Sequence, residues 1–217
     1  MRVDHVVYAA EPDGLIATAK RLGDELGTEP VDGGVHPRFG TRNSIIPLLD
    51  GRFLEVVEVL DHPASDKAPF GQAVRARSIG GGGWMAWVVG VDDIAIAEGL
   101  VGRTSAPGLR HRPDGIELTW KQLGVKGLTN DAQVPFFIQW GEGVPHPSTD
   151  GPAHASLKGM AIAGSPDRVR EWLGLTGEPG VDREDWEPEI VFDFAAPKGT
   201  PGLMSITFAT PNGDVTI

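Results

Sequence analysis

The chain has no cysteine among its 217 residues, which excludes disulfides, thiolate metal sites and a cysteine nucleophile. It also lacks an apolar run of the roughly 18 residues that a membrane span requires. The opening MRVDHVV enters a strand-like pattern without the pattern of a signal peptide. Basic residues do not cluster with aromatic ones, and a net charge of -11 would repel a phosphate backbone. We therefore expect a cytoplasmic protein that binds neither nucleic acid nor membrane.

Glycine and proline are abundant, with 30 and 18 residues, against average usages of about 7% and 5%. This composition favours turns and short strands over a helical bundle. The four glycines at 80–83 precede a strand pattern, and no Lys-Ser or Lys-Thr follows them, so they do not form a phosphate-binding loop. No G-x-S-x-G segment is present, which leaves a serine hydrolase without its nucleophile.

The order of predicted elements divides the chain into four parts and indicates an α+β fold. Residues 1–62 read as a first β-α-β-β-β module, in which Asp-Gly at 50–51 separates two apolar runs as in a hairpin. Residues 63–83 lack steady periodicity and read as a connector. The pattern restarts in 84–150 as a second β-α-β-β-β module, which suggests an internal duplication. Residues 151–217 read as a C-terminal partial β-α-β-β unit on the same domain.

Two ionisable residues lie inside apolar, β-branched runs. Alternation puts His5 on the strand face that carries Val3 and Val7, and it puts Glu55 on the face that carries Phe53. A buried imidazole or carboxylate needs a partner, and the simplest partner for each is the other. Glu58 competes with Glu55, because both faces of that strand are apolar.

Two tandem β-α-β-β-β modules with a histidine on the first strand and a glutamate on the last resemble the vicinal oxygen chelate superfamily, specifically its glyoxalase-like domain proteins. The segments HPRFGTRN (36–43) and DGRFLE (50–55) are similar to family motifs, and they select Glu55 over Glu58. PFFIQW (135–140) and HPS (146–148) resemble later motifs of the same family. The resemblance implies sheets that curl around a shared central cleft.

The resemblance also implies that each first and last strand offers one inward residue to a divalent ion such as Zn, Fe, Mn or Ni. Carried over by position, these residues are His5, Glu55, Ala86 and Gln139. Ala86 has no ligand atom and Gln139 offers only a neutral oxygen, which leaves His5, Glu55, Gln139 and waters as the metal ligands. Methylglyoxal isomerisation is disfavoured, because Gln139 cannot act as a base. Ring-cleaving dioxygenation is disfavoured by the missing second histidine.

We expect further side chains to contact the substrate: His36, Arg42, Asn43, Trp87, Gln139 and Trp140. The alternatives are a turn network around Gly40 for His36 and Asn43, a solvated loop position for Arg42, and core packing for the tryptophans.

The predicted function is that of a small-molecule enzyme, of lyase, isomerase or oxygenase type, in which His5 and Glu55 hold the ion or act as an acid–base pair. A metal-free protein that binds or sequesters a small ligand is the alternative from another class. A vestigial cleft in a protein that acts through partners is a third. One chain carries both modules, so a monomer is sufficient, and a homodimer is also compatible with the sequence.

Overall fold

A computed structural model describes residues 1–175 and 187–217. The first part of the chain contains β1 (Arg2–Ala9), α1 (Leu15–Leu26), β2 (Val31–His36), β3 (Thr41–Leu48), β4 (Arg52–Val59), α2 (Pro63–Lys67) and α3 (Pro69–Ile79). It continues with β5 (Gly83–Gly90), α4 (Ile94–Val101), β6 (Ala106–His111), β7 (Glu117–Leu123) and β8 (Phe136–Trp140). The last part contains β9 (Ser156–Ala163), α5 (Pro166–Leu173), β10 (Val191–Ala195), β11 (Gly202–Thr210) and β12 (Gly213–Thr216).

The first eight strands close into a barrel in the order β1-β4-β3-β2-β6-β7-β8-β5. The first half of this order reads first, fourth, third and second strand, and the second half gives the reverse, second, third, fourth and first. The halves meet where β1 pairs antiparallel with β5 and where Val35 of β2 pairs with His111 of β6. The other four strands form a separate sheet, β10-β9-β11-β12. The fold is thus α+β, with a closed barrel where the sequence predicts a curled sheet around a cleft.

Two apolar cores hold the described residues together. The inner core fills the barrel with residues such as Val7, Val57, Ala86 and Val88, and α3 packs against β1, β4 and β5 at its side. The outer core lies where the outside of the barrel meets α1 and the second sheet, and Trp87 is fully buried in it. Every helix of the described chain is too short or too polar to span a bilayer.

The connector at 63–83 is mostly helical, which the sequence does not predict. Proline begins both of its helices, at Pro63 and Pro69, where its fixed φ suits the first helical turn. In α3 the apolar residues do not recur at regular helical spacing, because polar residues interrupt them, so the sequence pattern does not reveal the helix. The sequence predicts a loop rich in Gly, Pro and acidic residues after Gly174, and residues 176–186 of this stretch lie outside the described residues.

The register of β1 shifts beside β5, because Val3 pairs with Val89 and His5 pairs with Val88. Asp4 is therefore an extra residue, a β-bulge, and the alternation of side chains changes there. Val3 lies in the outer core with Val6 and not with Val7 in the inner core. The expectation that His5 and Val3 share a face is wrong for this reason.

Candidate functional site

The barrel encloses one cavity that collects most of the ionisable groups singled out in the sequence. Parallel pairing of β1 with β4 sets His5 beside Phe53 and Val7 beside Glu55, so both polar side chains enter the barrel from neighbouring strands. His5 is 4% exposed and Glu55 is 6% exposed. The cavity is lined by His5, His36, Phe39, Asn43, Phe53, Glu55, Phe70, Arg110, Trp120, Gln122, Phe136, Ile138 and Trp140.

His5 and Glu55 face each other across this cavity. His5 Nε2 lies 4.0 Å from Glu55 Oε2, which is too long for a hydrogen bond, but an atom of a ligand or a water could bond to both groups from the side of the cavity. Phe53 stacks on the imidazole with ring centroids 4.3 Å apart. Stacking fixes the plane of the ring and keeps Nε2 directed at the cavity.

Asp4 holds the other nitrogen of His5. Its Oδ1 lies 2.6 Å from His5 Nδ1, and its Oδ2 lies 3.1 Å from both His146 Nε2 and Trp140 Nε1. Burial raises the pKa of Asp4, but the hydrogen bonds and charges of His146 and His5 outweigh it and bring the pKa below its usual value. Asp4 is therefore a carboxylate at neutral pH, and it orients His5.

Glu55 is held by neutral neighbours. Asn43 Nδ2 donates to Glu55 Oε1 at 2.7 Å, and His36 Nε2 lies 3.8 Å from the same oxygen. Burial, followed by electrostatic interactions with Arg110 and His5, lowers the pKa of His36 to about 3. His36 is thus an uncharged imidazole at neutral pH, and its Nδ1 shares a hydrogen bond of 2.9 Å with the hydroxyl of Thr41.

A buried arginine, which the sequence reasoning missed, completes the polar lining. Arg110 on β6 is 2% exposed, and its Nη2 contacts Asp150 Oδ2 at 3.4 Å. Asp150 also pairs with Arg112. Burial lowers the pKa of Arg110, while the nearby carboxylates of Glu55 and Asp150 raise it. An arginine stays protonated in such surroundings, so it places a positive charge beside Glu55.

Three of the expected substrate contacts lie outside the cavity, so their expected placement is wrong. Gln139 faces outward, where its Oε1 accepts from the backbone N–H of Ile94 at 3.1 Å and its Nε2 donates to the carbonyl of Asp92 at 2.9 Å. Arg42 is exposed and pairs with Glu58 at 2.7 Å. Trp87 belongs to the outer core and donates to the carbonyl of Gln133 at 3.0 Å.

The structure brings His5, Glu55, His36, Asn43 and Trp140 to the cavity. The sequence does not predict three residues that support the site, namely Arg110, Asp4 and His146. Adjacent residues normally point to opposite faces of a strand, which argues against a contact between Asp4 and His5, and nothing in the sequence links residue 110 to residue 55. Only the HPS motif drew notice to His146.

The metal ligands expected from the resemblance do not fit this site. Gln139 is turned away, and the described ranges contain no group of three His, Asp or Glu side chains that could hold a metal ion. Glu55 is instead bonded to Asn43 and lies near the guanidinium of Arg110. The positive charge of Arg110 already lies near Glu55, which is the one carboxylate among the expected metal ligands.

A comparison with protein families shows which family the chain belongs to. The family model for the glyoxalase-like domain matches residues 3–176. The chain belongs to the glyoxalase-like domain family, within the vicinal oxygen chelate superfamily. Its motifs at 36–43, 50–55 and 135–140 all lie within the matched residues. No protein of curated function matches this glyoxalase-like chain.

One solved structure shows the same fold at low sequence identity. A hypothetical protein from Staphylococcus aureus has a TM-score of 0.71 and 14% identity, over 96% of this chain and 91% of that one. The methylmalonyl-CoA epimerase from Mycobacterium tuberculosis has a TM-score of 0.43 and 15% identity, over 64% of this chain and 86% of that one. A Streptomyces coelicolor methylmalonyl-CoA epimerase variant has a TM-score of 0.43 and 16% identity, over 66% and 99%.

Proposed function

We propose that this glyoxalase-like protein is an enzyme that transfers a proton within a small organic substrate, as isomerases and lyases do. The observation that carries the proposal is the position of His5 Nε2, 4.0 Å from Glu55 Oε2 inside a buried cavity, with Asp4 bonded to His5 Nδ1. Two groups that can each take or give a proton thus face the same small space. No step of the proposed reaction requires a metal ion.

Asp4 and His5 act as a unit in this reaction. A carboxylate that accepts from Nδ1 fixes the imidazole tautomer, leaves Nε2 free as the base, and stabilises the imidazolium that forms when Nε2 takes a proton. Asp4 is suited to this role because its lowered pKa keeps it charged. Trp140 and His146 hold its second oxygen, so the carboxylate cannot turn away from His5.

Glu55 supplies the second proton-transfer group. Asn43 occupies Oε1, which leaves Oε2 to face His5 and the cavity. Glu55 removes a proton from the substrate and passes it to His5 Nε2, and the imidazolium then returns the proton at a second atom of the substrate. His36 takes no part as an acid near neutral pH, because its pKa is about 3.

The size of the cavity restricts the substrate to a small molecule. Water centres can occupy about 30 Å³ of it, which is room for roughly two water molecules. Aromatic rings form much of the wall, including Phe39, Phe53, Phe70 and Trp120. A substrate of more than a few atoms therefore enters by displacing side chains, and it displaces water as it does so.

A metal-free binding protein is the second candidate, and the largely apolar wall favours it. Such a protein would hold a small ligand among the same rings without changing it. Binding without turnover distinguishes this candidate from the enzyme.

The test is proton exchange with solvent. Small aldehydes, ketones and esters are incubated with the protein in D2O, and loss of the signal of the hydrogen next to the carbonyl is followed by proton NMR. General acid–base groups contribute about 10²- to 10⁴-fold, so we expect His5→Asn and Glu55→Gln each to lower the exchange rate at least about 100-fold. Glu58→Gln, on the same strand and paired with Arg42 outside the cavity, is the matched control and should retain the rate.

Exchange that persists in both His5→Asn and Glu55→Gln would refute the enzyme proposal. Compounds that bind in the cavity of the wild-type protein but never exchange would favour the binding protein.

A further inference from the structure

Buried polar atoms without partners point to a ligand in the cavity. Among the described residues, four buried side-chain atoms lack a hydrogen-bond partner: Asn43 Oδ1, Arg75 Nε, Ser78 Oγ and Arg110 Nε. Two of the four belong to residues that line the cavity beside Glu55, namely Asn43 and Arg110. One is an acceptor and one is a donor. Leaving either without a partner in a buried site is costly, so a ligand or water in the adjoining cavity would be stabilised by whichever of the two turns toward it.

Arg110 is under-partnered for a buried charge. Its Nη2 donates to Asp150 Oδ2 over 3.4 Å, close to the limit for a hydrogen bond. Asp150 divides its charge between two arginines, because it also pairs with Arg112. A guanidinium has five N–H donors, and a buried charge needs partners for them. Arg110 therefore keeps binding capacity on the side of the cavity.

The geometry points to Arg110 as the residue that binds the reacting oxygen of the substrate and carries the negative charge that develops on it. The charge on that oxygen is then met by a guanidinium of this chain, at a site that the expected metal ligands do not fit. The inference rests on the proposed proton transfer and names its substrate class, a small uncharged carbonyl compound with a hydrogen on the carbon next to the carbonyl.

The charges in the cavity favour an uncharged substrate over a carboxylate. Glu55 is a carboxylate in the same small space, and a second carboxylate would face it at short range. An uncharged carbonyl compound brings no charge when it binds. Its oxygen becomes negative only as the proton leaves, and at that moment the carboxyl of Glu55 becomes neutral.

The proton transfer balances with these groups alone. The C–H bond next to the carbonyl breaks, its proton goes to Glu55, and the electron pair moves through the carbon framework to the carbonyl oxygen. Arg110 donates hydrogen bonds to this enolate oxygen. Glu55 passes this proton to His5 Nε2, and Asp4 stabilises the imidazolium that results. The enolate then takes the proton on carbon or on oxygen from His5, and the total charge of the cavity is unchanged. Donors in place before the reaction are most effective when they match the charge of the transition state.

A binding experiment tests the inference without relying on turnover. The probe is propane-2-nitronate, a planar anion with the shape and charge of an enolate. The pH of the buffer is kept above the pKa of the parent nitroalkane, so that the probe stays an anion. Binding is measured by calorimetry with and without a chelator. Hydrogen bonds to charged groups are the strong ones, so we expect Arg110→Met to weaken binding at least about tenfold. Arg112→Met is the matched control, since it removes the other arginine of Asp150 and should change affinity less than about threefold.

Two further variants keep the inference testable if Arg110→Met does not fold. Arg110→Lys retains the charge without the planar fork and should bind the nitronate between wild type and Arg110→Met. Glu55→Gln removes the like charge and should bind the nitronate more tightly than the wild type. The inference fails if Arg110→Met and Arg110→Lys both match the wild type, if Glu55→Gln weakens binding, or if the chelator abolishes binding. Nitronate binding that depends on Arg110 in a protein without carbonyl exchange would keep this inference and refute the enzyme. Carbonyl exchange that is as fast in Arg110→Met as in the wild type would refute this inference and keep the enzyme proposal.

Discussion

The buried, uncharged state of His36 makes the stability of the protein depend on pH. Burial, Arg110 and His5 lower the pKa of His36 to about 3 in the folded chain, against a reference value of 6.5. As the pH falls, the unfolded chain therefore binds a proton at residue 36 before the folded chain does. The stabilisation by this group is complete above the reference pKa and is lost progressively toward pH 3. From these two pKa values, the free energy of unfolding should fall by about 2 kcal/mol between about pH 7.5 and about pH 5.

Urea unfolding followed by tryptophan fluorescence at the two pH values measures this loss. His36→Gln keeps a polar side chain and removes the titrating group, so its stability should depend less on pH by about 2 kcal/mol. Asp4 does not contribute within this window, because its pKa is lowered from a reference value of 3.8 and its loss begins only near that value. An equal fall in stability for wild type and His36→Gln would show that His36 is protonated in the folded protein.

Three other substitutions test the packing around the site. A Cβ at Gly33 would lie 2.2 Å from Asn43 Oδ1, so Gly33→Ala should displace Asn43. We expect it to cost about 1–3 kcal/mol of unfolding free energy and to slow proton exchange. An unchanged melting temperature and an unchanged exchange rate would contradict this packing. Arg52→Met should lower the free energy of unfolding in urea by about 3–5 kcal/mol, because buried Glu187 loses the guanidinium that lies 2.7 Å away. A loss below about 1 kcal/mol in the same assay would refute the pairing. Gln139→Ala should cost about 1 kcal/mol through the lost hydrogen bonds to Ile94 and Asp92 and leave exchange unchanged, whereas a tenfold slower exchange would put Gln139 back in the site.

The sequence predicts those parts of the fold in which local pattern and global structure agree. Asp-Gly between two apolar runs predicts the β3–β4 hairpin, and Ser165 with Pro166 predicts the start of α5, where Ser165 Oγ accepts from the N–H of Arg168. His5 and Glu55 could be placed in one cleft because their neighbours are apolar and the family motifs select them. These are short-range signals, and each sets a single element or a single turn.

Alternation fails as a guide where both faces of a strand are buried. On β8 the inward residues are Phe136, Ile138 and Trp140, whereas Phe137 lies in the outer core. The apolar residues on both faces leave the direction of Gln139 open in the sequence, and in the structure it faces outward, where it bonds to Ile94 and Asp92. Arg110 and Asp150 could not be found because their contact with the site depends on the closure of the barrel between β2 and β6.

The bulge in β1 explains how consecutive residues come to act on the same imidazole. On a regular strand Asp4 and His5 would point to opposite faces, and the carboxylate could not reach Nδ1. The extra residue opposite Val88 changes the direction of the chain, so Asp4 Oδ1 lies 2.6 Å from the ring while His5 still faces Glu55. The same shift sends Val3 to the outer core, where its backbone carbonyl accepts from buried Arg52 at 3.1 Å. One irregularity thus orients the proposed base and connects β1 to the Arg52–Glu187 pair, so a loss of the bulge would disturb chemistry and stability together.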